Sequence, residues 1–160
     1  MQAAKDTFLM TLAGRLATVN PARTVCLDGK TRAAVMALEN ETPGQAANAL
    51  ETFVLSWQGA KKVMTGQRLM EMQCEVTYAT RGTDAMLRTD RGRILTAMDR
   101  ELLTICRPEC VAQCDYTQTP PAQVGTRLFW SQPVLGEVTE RDGTLERRAT
   151  LELFFFAEAA

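Results

Sequence analysis

Three cysteines, Cys106, Cys110 and Cys114, recur every four residues and are the side chains with the clearest chemical potential. In a helix they would share one face, where thiolates can converge on a metal ion. Pro108 argues against a continuous helix, and zinc sites usually add a second ligand pair, whereas the two remaining cysteines stand alone. We interpret the three as buried or incidental thiols, with a small metal-binding or redox protein as the alternative.

The sequence contains no histidine. This removes the commonest general base and the commonest metal ligand, and it excludes Ser–His–Asp triads and Cys–His dyads within this chain. The ten glycines are scattered and form neither a dinucleotide fingerprint nor a phosphate-binding loop. The sequence therefore predicts a protein that is not an enzyme and uses no cofactor.

Carboxylates recur along the clearest predicted strand. Residues 69–78 alternate apolar and polar side chains, which predicts one buried and one wet face. Glu71 and Glu75 would stand about 13 Å apart on the wet face, too far to share a metal pair in a nuclease. Glu152 belongs to a second alternating run near the end of the chain. We expect these three to line a solvated face or an aqueous channel.

Two groups of residues are candidates for contact with a neighbouring subunit. Arg127, Phe129 and Trp130 follow a Pro-rich stretch, and aromatic residues beside arginine are typical interface anchors. Arg88 and Arg91 lie in an arginine-rich helical pattern that could form intersubunit salt bridges. The alternatives are aromatic side chains packed under the domain's own sheet and a solvated helix face.

The bulk composition indicates one ordinary globular domain spanning residues 1–160. The 18 basic and 19 acidic side chains nearly balance, whereas a nucleic-acid-binding domain usually carries a basic surplus. The start of the chain lacks a signal-peptide pattern, and no run of 18 apolar residues exists to span a membrane. Five cysteines in this context predict free thiols and a reducing, cytosolic site of synthesis.

The order of predicted elements defines the fold class. We expect α+β: an antiparallel or mixed β-sheet of about five to six strands, with two amphipathic helices on one face. The first helix has Ala4, Phe8, Leu12, Leu16 and Val19 on its apolar side. The predicted helices cover residues 2–19 and 83–105; strands or hairpins cover 24–38, 50–57, 69–78, 134–139 and 145–156; long loops cover about 40–48 and 106–133.

This pattern resembles the bacteriophage tail terminator, or tail completion, family (minor tail protein U-like). The resemblance is carried by the N-terminal helix, the hairpin around Asp28-Gly29, the strand MEMQCEVTY with the following TRGTDAMLRTDRGRILTAMDREL, and the closing strand RRATLELFFF. It covers most of the chain and rests on the pattern of elements, without a short diagnostic motif.

The resemblance implies a structural role in the virion, at the junction of head and tail, after assembly in the host cytoplasm. Copies would form a ring, typically a homohexamer, that caps the tail tube, stops tube polymerisation and binds the neck or head-completion protein. DNA would pass through the lumen, lined by Glu71, Glu75 and Glu152. The alternatives are another head–tail connector or neck protein, a monomeric adaptor, and the cysteine-based protein described above.

Overall fold

A computed structural model describes residues 1–46, 49–63, 66 and 68–157. Two helices and nine strands occur within these residues, together with short 3-10 turns at Leu38–Asn40 and Asp84–Met86. The elements are α1 (Gln2–Val19), β1 (Thr24–Leu27), β2 (Lys30–Ala33), β3 (Val35–Ala37), β4 (Phe53–Lys62), β5 (Leu69–Thr80), α2 (Arg91–Ile105), β6 (Cys110–Asp115), β7 (Ala122–Trp130), β8 (Val134–Arg141) and β9 (Thr144–Phe156).

Seven of the described strands form one mixed sheet in the order β3-β4-β5-β9-β7-β6, and β8 also pairs with β9. The β3–β4 pair is parallel and the other pairs are antiparallel. Strands β1 and β2 form a separate hairpin. The predicted α+β class is confirmed. The described sheet has seven strands where five to six were expected, because two strands form inside the predicted loop 106–133.

Both helices pack on one face of the sheet and build the core there. The predicted apolar side of α1 is buried except for Val19, the last residue of the helix, which is exposed. Phe8 meets the Trp130 ring edge to face, with 5.1 Å between centroids. Alternate residues of β5 and β9 complete the core, and each large apolar side chain buried there contributes about 1.5–3 kcal/mol.

A buried polar group fixes α2 on the sheet. The Tyr78 hydroxyl on β5 donates to Asp99 Oδ1 of α2 at 2.6 Å, and Arg147 Nε of β9 lies 3.1 Å from the same oxygen. Burial of the phenol and the hydrogen bond to Asp99 raise the pKa of Tyr78, so this side chain stays a neutral donor. A buried polar group needs a partner, and the Tyr78–Asp99 hydrogen bond supplies one between β5 and α2.

The prediction that the second helix begins at Thr83 is wrong. Leu87 and Arg88 have φ values of 49° and 62°, a left-handed conformation that interrupts a right-handed helix. The chain makes a short 3-10 turn and then starts α2 at Arg91, with Asp90 at the N-cap position. An Asp84–Arg88 ion pair forms at 2.8 Å, and it spans this turn and not a helix.

The prediction of a long loop at 106–133 is also wrong. Strands β6 and β7 pair antiparallel in this region, and Cys110 lies opposite Phe129. Side chains of β7 alternate between exposed and less exposed positions, as in any half-buried strand. Gly125 and the Pro120-Pro121 pair concealed this period of two. In the other predicted loop, 40–48, turns are described as far as residue 46, and residues 47 and 48 lie outside the described residues.

Candidate functional site

The three evenly spaced cysteines lie in different environments. Cys106 is buried just after α2, Cys110 is exposed on β6, and Cys114 is half-buried further along that strand. A β-bulge between Ala112 and Cys114 shifts the register of β6. Among the residues that the structure describes, no group of three or more Cys, Asp or Glu side chains could hold a metal ion. The described geometry therefore gives no support to the metal-site alternative.

Two cysteines face the core. Burial raises the pKa of Cys74, and it raises the pKa of Cys106 to about 12, with Arg15 acting in the opposite direction. A thiol with such a pKa stays protonated near neutral pH, and the thiolate is the reactive form. These two side chains therefore act as packing residues.

Trp130 is a core residue, so the prediction that it anchors a subunit interface is wrong. Its side chain is 3% exposed, and its Nε1 donates to the Cys106 carbonyl at 3.0 Å. The Arg15 guanidinium carbon lies 5.3 Å from the ring centroid on another side. Because the apolar ring and its one donor are both satisfied within the chain, little of Trp130 is left for a partner.

Phe129 points the other way, onto the sheet face that the helices do not cover, which we call the open face. It is 38% exposed and stacks on Phe154 with 5.1 Å between ring centroids and 14° between planes. Phe156 lies further along β9 on the same face and is also exposed. The structure therefore leaves Phe129 available to a partner.

The predicted carboxylates share the open face. Strand register sets Glu71 opposite Phe154, and Glu75 opposite Thr150, while Glu152 lies opposite Gln73. Two of them have cationic neighbours: Glu71 Oε1 is 3.3 Å from Lys61 Nζ, and Glu75 Oε1 is 3.9 Å from Arg148. Glu152 Oε1 accepts from Gln73 Nε2 at 3.3 Å. The face is polar and carries both signs of charge.

Arg127 lies at the outer end of this face, where β7 pairs with β6. Its Nε is 3.3 Å from Cys110 Sγ, and its second nitrogen donates to the Cys110 carbonyl at 3.0 Å. These contacts orient the guanidinium along β6, and Arg127 stands two residues before Phe129 on the same face of β7. At the other end of the face, a cleft of about 410 Å³ is lined by Val54, Glu75 and Thr77 on the sheet and by Leu38, Ala46, Ala49 and Leu50.

The segment that interrupts the predicted helix, residues 83–90, is called the 83–90 loop here; Arg88 lies inside it and Arg91 directly follows it. Arg88 pairs with Asp84 inside the loop. Arg91 donates to the Gly143 carbonyl at 2.9 Å and lies 3.6 Å from Glu140, which ties α2 to the β8–β9 turn. Both arginines therefore have partners in their own chain, and an intersubunit role for them stays a prediction.

The 83–90 loop is held rigidly. The Asp90 carboxylate accepts from the Thr83 backbone N–H at 2.9 Å and from its hydroxyl at 2.7 Å, and these hydrogen bonds lower the pKa of Asp90. The Arg88 N–H donates to the Thr83 carbonyl at 2.9 Å. Gly82 packs so closely that an added Cβ would lie 2.6 Å from Asp90 Oδ1. The two ends of the loop are thus clamped together.

Sequence reasoning missed the side chains that this loop presents. Leu87 falls inside the predicted helix 83–105, but it is 85% exposed, and its neighbour Met86 is exposed as well. A leucine in the left-handed conformation costs about 1–2 kcal/mol of backbone energy. The loop therefore exposes the apolar Leu87 side chain to water at a cost in backbone strain. The one signal in the sequence was Gly82, a glycine just before the expected helix start.

The outward side of α1 is the second surface that sequence reasoning missed. Met10 is exposed there, and a shallow depression of about 380 Å³ runs past Thr11, Gly14, Arg15 and Thr18 to Thr104 of α2. An added Cβ at Gly14 would meet nothing within 4 Å.

Comparison with protein-family models and with curated protein sequences found no match to this chain. None of the described helices combines the length and the apolar character needed to cross a membrane. Any functional conclusion therefore depends on the surfaces described above.

Proposed function

We propose that this chain is a structural assembly protein whose copies form a ring that caps a phage tail tube. The observation that carries the proposal is the open face, a polar sheet face with exposed aromatic side chains that neither helix covers. In this proposal the ring stops tube polymerisation and joins the tail tube protein to the neck or head-completion protein. The protein then belongs to the virion, at the head–tail junction.

The amount of exposed surface supports association. A compact monomer of this mass is expected to expose about 7,900 Å². The chain exposes 9273 Å², which is roughly 1,300 Å² more than that expectation. A stable contact buries about 800 Å² per partner, and a ring subunit makes two such contacts. The excess is therefore of the size that two neighbours would cover.

The charge of the open face supports its use as a channel lining. DNA binds where Lys and Arg neutralise phosphates and release counterions. On this face Lys61 and Arg148 are offset by Glu71 and Glu75, and Arg127 at its outer end is matched in number by Glu152, which has no cation within ion-pair distance among the described residues. A face with this balance would let DNA slide past with little adhesion, as delivery through a lumen requires.

The test is the mass of the purified protein in solution, measured by light scattering across concentrations, alone and with purified tail tube protein. The proposal expects a discrete closed multiple of 17.7 kDa, six in the typical ring, and shorter tubes when the ring is added before polymerisation. A monomer in every condition, with no effect on tube length, contradicts the ring. A density map of the ring with Glu71, Glu75 and Glu152 far from the lumen contradicts the channel lining alone.

A further inference from the structure

Two margins of the sheet are strands whose outer edges have no strand partner within the described residues. Strand β8 pairs with β9 on one side, and most of its side chains are exposed. Strand β4 pairs with β3 only over residues 53–55, so residues 56–62 are unpaired on that side. At the edge of β6, by contrast, the Cys114 N–H donates to Thr7 Oγ1 of α1 at 2.9 Å. An unpaired edge presents backbone donors and acceptors to a second strand.

The backbone of each free edge points outward at residues on the same face of the sheet. The two-residue turn from β8 to β9 makes its flanking residues a hydrogen-bonded pair, so alternation directs Val138 and Glu140 away from β9. On β4, a hydrogen bond from the Val63 N–H to β5 directs Ala60 and Lys62 away from β5. Strand register places all four side chains on the face that the helices cover. Two edges can join into one sheet only when their outward residues match in this way.

We propose that β8 of one subunit pairs antiparallel with residues 58–62 at the β4 edge of the next subunit. This inference rests on the proposed ring and assigns its subunit contact. Along the order β4-β5-β9-β8 each strand runs opposite to its neighbour, so the β4 edge of a copy placed alongside runs opposite to β8. The contact is heterologous, and its repetition extends one sheet around a ring when the rotation between subunits closes.

The levels of the two edges along the sheet fit such a ring. Ala60 is level with Leu153 of β9, and Val138 is level with Arg147 of the same strand. Setting Ala60 opposite Val138 of the neighbour therefore staggers adjacent copies by 153 − 147 = 6 residues. This stagger is about 20 Å, and the four strands together are about 19 Å wide. The strands then tilt by about 45° to the ring axis, as strands in closed sheets do.

The charges of the two edges are complementary. The exposed charged side chains are Lys61 and Lys62 on the β4 edge, and Glu137, Glu140 and, at the turn, Arg141 on β8. In the register above, Lys61 stands opposite Glu137, and its contact with Glu71 of its own chain leaves 73% of its side chain exposed. Opposite charges on facing strands stabilise pairing, and like charges oppose it. Pairing of either edge with its own copy brings lysines or glutamates together, so each edge fits the other edge of a second copy better.

Val138→Pro tests the backbone contact. The Val138 N–H points away from β9, so proline removes no hydrogen bond within the chain, and a strand edge tolerates it. The variant loses one intersubunit hydrogen bond and leaves a carbonyl of the partner unpaired, so association should weaken at least ~10-fold. Val138→Thr keeps the N–H and the strand preference. It is the matched control and should assemble like the unmodified chain.

Charge reversal tests which two edges meet. Lys61→Glu with Lys62→Glu should weaken association on the order of 10-fold, and so should Glu137→Lys with Glu140→Lys. A chain that carries all four substitutions again has opposite charges at the contact and should recover assembly. Light scattering, alone and with tail tube protein, measures association, while circular dichroism and unfolding midpoints confirm that each variant is folded.

The contact and the ring fail in different ways. If Val138→Pro assembles like Val138→Thr, or the chain with all four substitutions stays as weak as either pair, the contact is overturned while the ring stands. If the unmodified chain stays monomeric both alone and with tail tube protein, the ring itself has failed, and the contact fails with it.

Discussion

The two faces of the sheet use neighbouring residues for opposite purposes. On β7, Trp130 is buried against Phe8 and Arg15, whereas Phe129, one residue earlier, stacks on Phe154 in the open. On β9, Phe155 is buried and Phe154 is half-buried. The side chains of the covered face pack within the chain, so this face stabilises the fold. The open face keeps large apolar and charged side chains at the surface, where assembly can use them.

The largest expected difference between the faces is thiol reactivity. Cys110 is exposed at the outer end of β6, while Cys74 and Cys106 are buried. A buried thiol reacts only after an opening of the fold, and a global opening costs at least about 5 kcal/mol, or roughly a 10⁴-fold rate reduction. With an aromatic disulfide reagent at pH 8, we expect Cys110 and the exposed Cys26 to react first.

Peptide mapping of the labelled protein at early times identifies the modified cysteines. Labelling in denaturant, where all five react, is the control for total thiol content. Labelling of Cys106 at the rate of Cys110 in the folded protein would contradict the burial of the covered face.

The next difference is the cost of removing an aromatic ring from β7. Trp130→Ala should lower the free energy of unfolding by about 4 kcal/mol, because it opens a cavity and removes the contacts with Phe8 and Arg15. Phe129→Ala should cost only about 1 kcal/mol, mainly the stacking with Phe154. Urea unfolding of both variants measures this contrast, with Phe154→Ala as the matched partner of Phe129→Ala. Equal losses for Trp130→Ala and Phe129→Ala would remove the distinction between the faces.

The smallest expected effect is a pH dependence of the 83–90 loop. Hydrogen bonds to the Asp90 carboxylate, and not apolar burial, hold this loop in its conformation. The hydrogen bonds from Thr83 lower the pKa of Asp90 below its ordinary value of 3.8. The stabilisation that these hydrogen bonds give to the loop is therefore fully present when the pH is above the ordinary pKa of 3.8. It is lost as the pH falls through the lower pKa that Asp90 has in the folded protein. Hydrogen exchange of the Arg88 amide should accelerate in acid beyond its intrinsic pH trend.

Asp90→Asn provides the comparison for this effect, because the amide cannot titrate in this range. The exchange rate of the Arg88 amide in that variant should follow the intrinsic trend alone. The same acid response in both proteins would show that another group controls the loop. Buried amides of β5 serve as an internal reference on the covered face.

The sequence alone determined the fold class and which sides of its helices and strands are buried. Alternation along 69–78 and 145–156 assigned the buried and open faces correctly, because a period of two follows from strand geometry whatever the neighbours are. The placement of Glu71, Glu75 and Glu152 on one open face followed from the same rule. The apolar period of α1 identified Phe8, Leu12 and Leu16 as core residues.

Only the tertiary structure decided which candidate residues are available to a partner. Local pattern could not separate Trp130 from Phe129, since their burial depends on where α1 and α2 pack. Nor could it foresee that Leu87 leaves the helix, because the clamp from Asp90 to Thr83 outweighs the helical preference of the segment. Local periodicity is a property of a single element, whereas exposure depends on contacts between residues that are far apart in the chain.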